Sequence, residues 1–164
     1  MRNHLIVVGV DGSASGRRAL RWAAREAAGP GTAVRAVLAW HWDGIETDVV
    51  TATSPEEERR QAGLVLDREV EAVIAEHGSA LPIARELIEG SPAEVLTAAA
   101  RDSDFLVLGS HGHSGLRHRV LGSVSEACIR QATCPVVVIP SGTGKAGTGK
   151  AEPEPALRTE TAQR

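Results

Sequence analysis

Five short apolar runs recur along the chain with longer segments of helical period between them, and this alternation constrains the fold more than any other feature. The runs are "HLIVVGV" (4–10), "TAVRAVLAW" (32–40), "LPIARELIE" (81–89), "DFLVLG" (104–109) and "PVVVI" (135–139). Their apolar residues are close to continuous, which fits strands covered on both faces rather than on one. Pro82 weakens the start of the third run, because proline has no N–H to give to a ladder.

The intervening segments carry helix signals. After "DGSASG", Ser13 or Ser15 can cap a helix running to about Ala28. Ala19, Leu20, Ala23, Ala24 and Ala27 form its apolar face, and Arg17, Arg21 and Arg25 its solvated one. "GPG" (29–31) stops it. His41 to Pro55 has no clear period and reads as a loop. From Glu56 to about His77 the helical period returns, with Ala62, Val65, Leu66, Val70, Val73 and Ile74 inward and Gly78 closing the helix. Ser91, Pro92 and Glu94 form a helix-start signature, and "SVSEACIRQA" (123–132) is a further helix opening on a capping-box sequence. Strands and helices in strict alternation predict an α/β fold with a parallel sheet and right-handed crossovers.

Composition sets the limits of the folded part. After Pro140 the chain turns to Gly, Thr, Pro and charge, with Leu157 its only large apolar residue. Such a segment cannot bury enough surface to offset the entropy of ordering, so residues 141–164 are expected to be a disordered tail behind a domain of residues 1–140. Within that tail, "GKAGTGKA" (144–151) nearly spells a P-loop, but Ala151 stands where a magnesium-binding hydroxyl is needed and no helix follows. A net charge of −3 argues against nucleic acid as a partner. No apolar run is long enough to cross a bilayer, and the N-terminus lacks the layout of a signal peptide. Cys128 and Cys134 match neither a zinc spacing nor a disulfide framework, so a reduced, cytoplasmic setting is expected.

In an open parallel sheet, ligands bind beyond the carboxyl ends of the strands where the strand order reverses. Two loops at such ends are chemically loaded: "DGSASG" after the first strand and "GSHGHSGLRHRVLGS" (109–123) after the fourth. The second spaces Gly109, Gly112, Gly122 and Ser123 as G-x-x-G-x(9)-G-S. Glycines without Cβ let backbone N–H groups approach a phosphate, and a helix N-terminus suits an anion. Ser123 and Ser125 can add hydroxyl donors there. Asp11 would repel phosphates, so it meets ribose hydroxyls, a base amino group or a phosphate-bound metal ion, or else merely caps its turn with Gly12 and Ser13. His111, His113 and His118 match no metal-ligand spacing and read as loop histidines, with Arg117 and Arg119 solvated or reaching a terminal phosphate. The G-x-G-x-x-G pattern is absent after the first strand, and no nucleophile–base constellation emerges. Binding is therefore expected rather than catalysis.

"IVVGVDGSASGRRALRWA" and "EGSPAEVLTAAARDSDFLVLGSHGHSGLRHRVLGSVSEACIRQATCPVVVIP" together resemble the universal stress protein family over about residues 3–140. The resemblance implies a five-stranded sheet of order 3-2-1-4-5 with helices on both faces, like the adenine nucleotide alpha hydrolases, and a cytoplasmic homodimer joined through the last strand, Pro135 to Ile139. It also implies ATP binding, with magnesium, because the glycine spacing is the one that marks the family's ATP-binding members. On that pattern Asp11 lies at the adenine–ribose end, and Trp40 offers backbone polar groups and a ring surface to the base. Gly109, Ser110, Gly112, Ser114 and Gly115 wrap ribose and phosphates, while Gly122, Ser123, Val124 and Ser125 hold phosphates at the helix start. The expected function is nucleotide-dependent regulation in a stress response through partner binding. A slow ATPase or nucleotide-transferring enzyme, and a dimeric interaction protein without nucleotide, are the competing expectations.

Overall fold

A computed structural model of the chain describes residues 4–42, 54–78, 81–112 and 121–140. The elements run β1 (His4–Gly9), α1 (Ala14–Glu26), β2 (Thr32–Trp40), α2 (Pro55–His77), β3 (Ile83–Glu89), α3 (Pro92–Ala99), β4 (Phe105–Gly109), α4 (Ser123–Gln131) and β5 (Val136–Ile139). The five strands form one sheet in the order β3-β2-β1-β4-β5, all parallel. β3 begins only after Pro82, which supplies a carbonyl to Val34 N at 3.0 Å and needs to donate nothing. The chain winds outward from β1 through β2 to β3, then crosses back to β4 and β5. The order therefore reverses between β1 and β4. The expected tail, residues 141–164, and most of the expected loop after β2 lie outside the described residues.

Why the strands carry apolar residues without alternation is visible in the layering. Ile6 and Val8 of β1 face one core with Ala19, Leu20, Ala23 and Ala24 of α1 and with Leu66 and Val70 of α2. Val7 faces the other, with Val37, Leu106 and Leu108 of the sheet, Leu96 of α3 and Cys128 of α4. Two helices cover each face, so both sides of a central strand must be apolar. Burial pushes the Cys128 thiol up to about 11.

One position of α2 departs from the expected face. Glu69 lies among the inward residues and is 2% exposed, with Arg68 at 2.9 Å and Arg17 of α1 at 3.6 Å. A carboxylate this deeply placed is held by paired guanidinium groups, and it ties α1 to α2 across their shared layer.

Candidate functional site

The site is built where β1 and β4 end side by side. β1 leads through Val10 to Asp11 and to Gly12, whose φ of +78° is a left-handed turn that glycine adopts without strain. Asp11 Oδ1 accepts from Ser13 N at 2.9 Å, so the carboxylate does cap its own turn; it also lines the cavity. Ser13 is the N-cap of α1, its hydroxyl accepting from Gly16 N at 3.0 Å. The first turn of α1 is thus closed by its own side chains.

Gly109 ends β4 and is needed there for a reason the spacing did not reveal. A Cβ on Gly109 would come within 2.6 Å of Ser15 C and 2.7 Å of Gly16 N, both backbone atoms of α1. What the missing side chain admits is the close approach of the helix. Ser110 then stitches the loop into the sheet. Its N donates to Ile139 O at 2.8 Å, its carbonyl accepts from Gly122 N at 2.6 Å, and its buried hydroxyl meets His111 Nδ1 at 2.9 Å. The hydroxyl of Ser125, expected as a donor to phosphate, donates instead to Gly109 O at 2.7 Å.

The start of α4 corrects a second expectation. The capping-box reading placed Ser123 at the cap, but the cap is Gly122, in extended conformation, and Ser123 is the first helical residue. The frame is one residue earlier than the "SVSE" pattern suggests, because the chain must leave the loop beside Ser110. Among the described residues no side chain is seen to cap α4, so its first turn keeps the partial positive charge of an open helix start. At α3, Ser91 is the N-cap as expected, yet its hydroxyl makes no cap bond.

Between these elements lies a cavity of about 280 Å³. Its walls are Val37 and Ala39 of β2, Leu96 of α3 and Leu108 of β4. Its polar end is formed by Asp11, Gly112, Gly122 and the exposed Ser123, with Gly109, His111, Val124 and Ser125 alongside. An apolar slot beside convergent backbone donors suits a flat, anionic small molecule. A Cβ at Gly112 would stand 3.1 Å from Asp11 Oδ2, and one at Gly122 would stand 3.7 Å from Gly112 N, so Asp11, Gly112 and Gly122 close on one another. Among the described residues, no three His, Cys, Asp or Glu side chains gather in a group that could hold a metal ion.

Of the expected residues, Asp11, Gly109, Gly112, Gly122, Ser123, Val124 and Ser125 line this cavity; Ser110 sits behind it and Trp40 does not reach it. β2 alternates, so Val37 and Ala39 face the cavity while Trp40 turns to the α1–α2 side. There it borders a separate depression of about 310 Å³ with Gln61 and Val65, and the two hollows share Asp11 and Ala39. Trp40 O accepts from Gly90 N at 2.9 Å. Ser114 and Gly115 lie outside the described residues, as do His113, Arg117, His118 and Arg119. The apolar walls were missed by motif reading, because the end of β2 is apolar on both faces and its sequence does not show which face meets the cavity.

The model of the universal stress protein family matches residues 3–140. A universal stress protein of Mycobacterium tuberculosis is 34% identical over 146 residues, covering 85% of this chain and 49% of that protein. The chain thus spans about half the length of the curated mycobacterial relatives it matches. Among solved structures, UspA of Lactobacillus plantarum superposes with a TM-score of 0.70 at 23% identity, over 85% of this chain and 99% of that one. The Archaeoglobus fulgidus universal stress protein, solved in complex with dAMP, superposes with a TM-score of 0.62 at 27% identity, over 85% and 99%. No described helix is long and apolar enough to cross a membrane. The sheet order, the reversal-point cavity and the match over all of the described residues agree: the chain belongs to the universal stress protein family.

Proposed function

We propose that this chain binds ATP with magnesium in the cavity between β1 and β4, and acts as a cytoplasmic regulatory protein through partner binding rather than turnover. The observation that carries the reading is the start of α4, a helix N-terminus whose cap is a glycine and which opens on a glycine-lined cavity. The dAMP complex of the archaeal relative supports an adenine nucleotide as the ligand class. In this reading the base lies between the apolar walls, and the phosphates meet the amides of Gly112 and the first turn of α4. Asp11 is the one carboxylate among the described lining residues. One carboxylate fits magnesium, which takes few protein ligands and shares the rest with phosphate and water. Magnesium held there would neutralise phosphate charge.

A second copy of the chain is the proposed partner at β5. This four-residue edge strand is half-exposed throughout and apolar on both faces, so its outer edge is a template for pairing. Nucleotide released by heat from the purified protein, identified by chromatography, tests the ligand. Calorimetry with ATP and magnesium tests the affinity. No released nucleotide together with no heat of binding sinks the proposal, and sustained ADP or AMP release sinks the non-enzymatic part in favour of a slow ATPase or a transferase.

A further inference from the structure

The stem of the glycine loop is gripped from behind by two hydroxyls of α1. Ser15 is 2% exposed and Ser13 7%. Ser15 Oγ donates to His111 O, and Ser13 Oγ donates to the same carbonyl at 3.3 Å. Ser15 Oγ also accepts from His111 N at 3.4 Å, as Ser13 Oγ accepts from Gly16 N. The two hydroxyls also lie 3.4 Å from each other, and with these partners neither is left buried and unpaired.

The grip has a directional consequence. In a trans peptide the C=O and the following N–H point opposite ways. Holding His111 O against α1 therefore aims the N–H of Gly112 away from α1. Gly112 N lies on the side of Gly122, whose added Cβ would stand 3.7 Å from it, and both glycines line the cavity. Ser13 is committed to capping α1, so Ser15 is the hydroxyl whose first-turn position serves the loop on both sides of His111. The absence of a side chain at Gly109 is what lets Ser15 reach it.

We infer that Ser15 is a positioning residue for the phosphate-facing amide of Gly112; the inference rests on the nucleotide-binding reading above. Ser15 touches no ligand itself. It sets the plane of the peptide that does, as supporting hydroxyls must where backbone amides form the site.

The test uses the full chain with Ser15→Ala, beside Ser103→Ala as a control. Ser103 also donates to a backbone carbonyl, Ala100 O at 2.9 Å, but just before β4, at the opposite end of the sheet. Calorimetry with ATP and magnesium should show about a tenfold loss of affinity in Ser15→Ala and none in Ser103→Ala. Adenosine, which has no phosphate to meet Gly112, should bind both variants as it binds the parent. In the nucleotide-free protein, exchange of the Gly122 amide, which bonds to Ser110 O rather than to Ser15, should quicken in Ser15→Ala alone. Unchanged ATP affinity, or an equal loss for ATP and adenosine, overturns the inference. Unchanged Gly122 exchange overturns it as well, whether or not the parent binds nucleotide. A parent that binds no nucleotide overturns the proposed function instead, and the exchange measurement still decides whether Ser15 holds the loop.

Discussion

Two helices begin at the same cavity, α1 and α4, and they begin in opposite ways. α1 is capped by Ser13 and backed by Ser15, both buried and both hydrogen-bonded. α4 is capped by a glycine with no side-chain bond, beside an exposed serine. The macrodipole and the unpaired first-turn amides are common to both. What differs is whether the protein fills them itself. A helix start closed by its own hydroxyls is structure, and one left open toward a cavity is a place for an anion.

Substitutions can break this contrast. The largest effect is expected at Gly109→Ala, where the new methyl would press on the backbone of Ser15 and Gly16, which cannot swing aside. A loss of about 3 kcal/mol in urea denaturation is expected. Gly122→Ser would give α4 the cap it lacks, because the glycine is already in extended conformation at φ −74° and an added Cβ meets nothing closer than 3.4 Å. Stability should rise by about 0.3 kcal/mol while ATP affinity falls about tenfold as hydroxyl and phosphate compete for the same amides. An unchanged affinity in calorimetry would remove the open helix start from the account. The mirror change, Ser13→Ala, should unfold the protein about 1 kcal/mol sooner through loss of the α1 cap, read as a lower midpoint.

The smallest effect lies far from both helix starts. Leu5 N donates to Asp104 at 2.8 Å, and this bond, helped by His4, holds the Asp104 carboxyl below its usual range. The folded value lies below the unfolded value of about 4, so the contribution is complete above that pH and disappears as the pH falls through the folded value. Asp104→Asn should therefore cost a little stability at neutral pH and nothing in strong acid, with ATP affinity untouched. An affinity change there would show that the ends of the sheet are not independent.

The elements were legible because each leaves a local trace. Strands covered on both faces read as continuous apolar runs, and helix starts and stops carry Ser, Pro and Gly. The cavity's place followed from topology. Less was legible at the level of single atoms. "SVSE" reads as a capping box with Ser123 at the cap, whereas the bond from Glu126 N to Gly122 O starts the helix one residue earlier. The fit of Gly109 against α1 joins residues nearly a hundred positions apart, so no spacing rule announces it. The burial of Glu69 depends on Arg17 of another helix, a partner that no pattern within α2 announces. Trp40 faces the opposite way from Ala39 by simple alternation, but which of the two faces the cavity depends on the pairing with β1.

The buried face of α1 has one more consequence. Apart from Leu20 and Ser15 it is made of alanines and a glycine, side chains with no rotamers to lose on ordering. Docking this helix therefore costs little side-chain entropy, and its backbone lies close against the strands without soft side chains between. A helix seated in that way has few means of drifting. The hydroxyl of Ser15 inherits this accuracy, so on the inference above the direction of an amide nearly a hundred residues further along the chain, at Gly112, is traceable to a row of alanines.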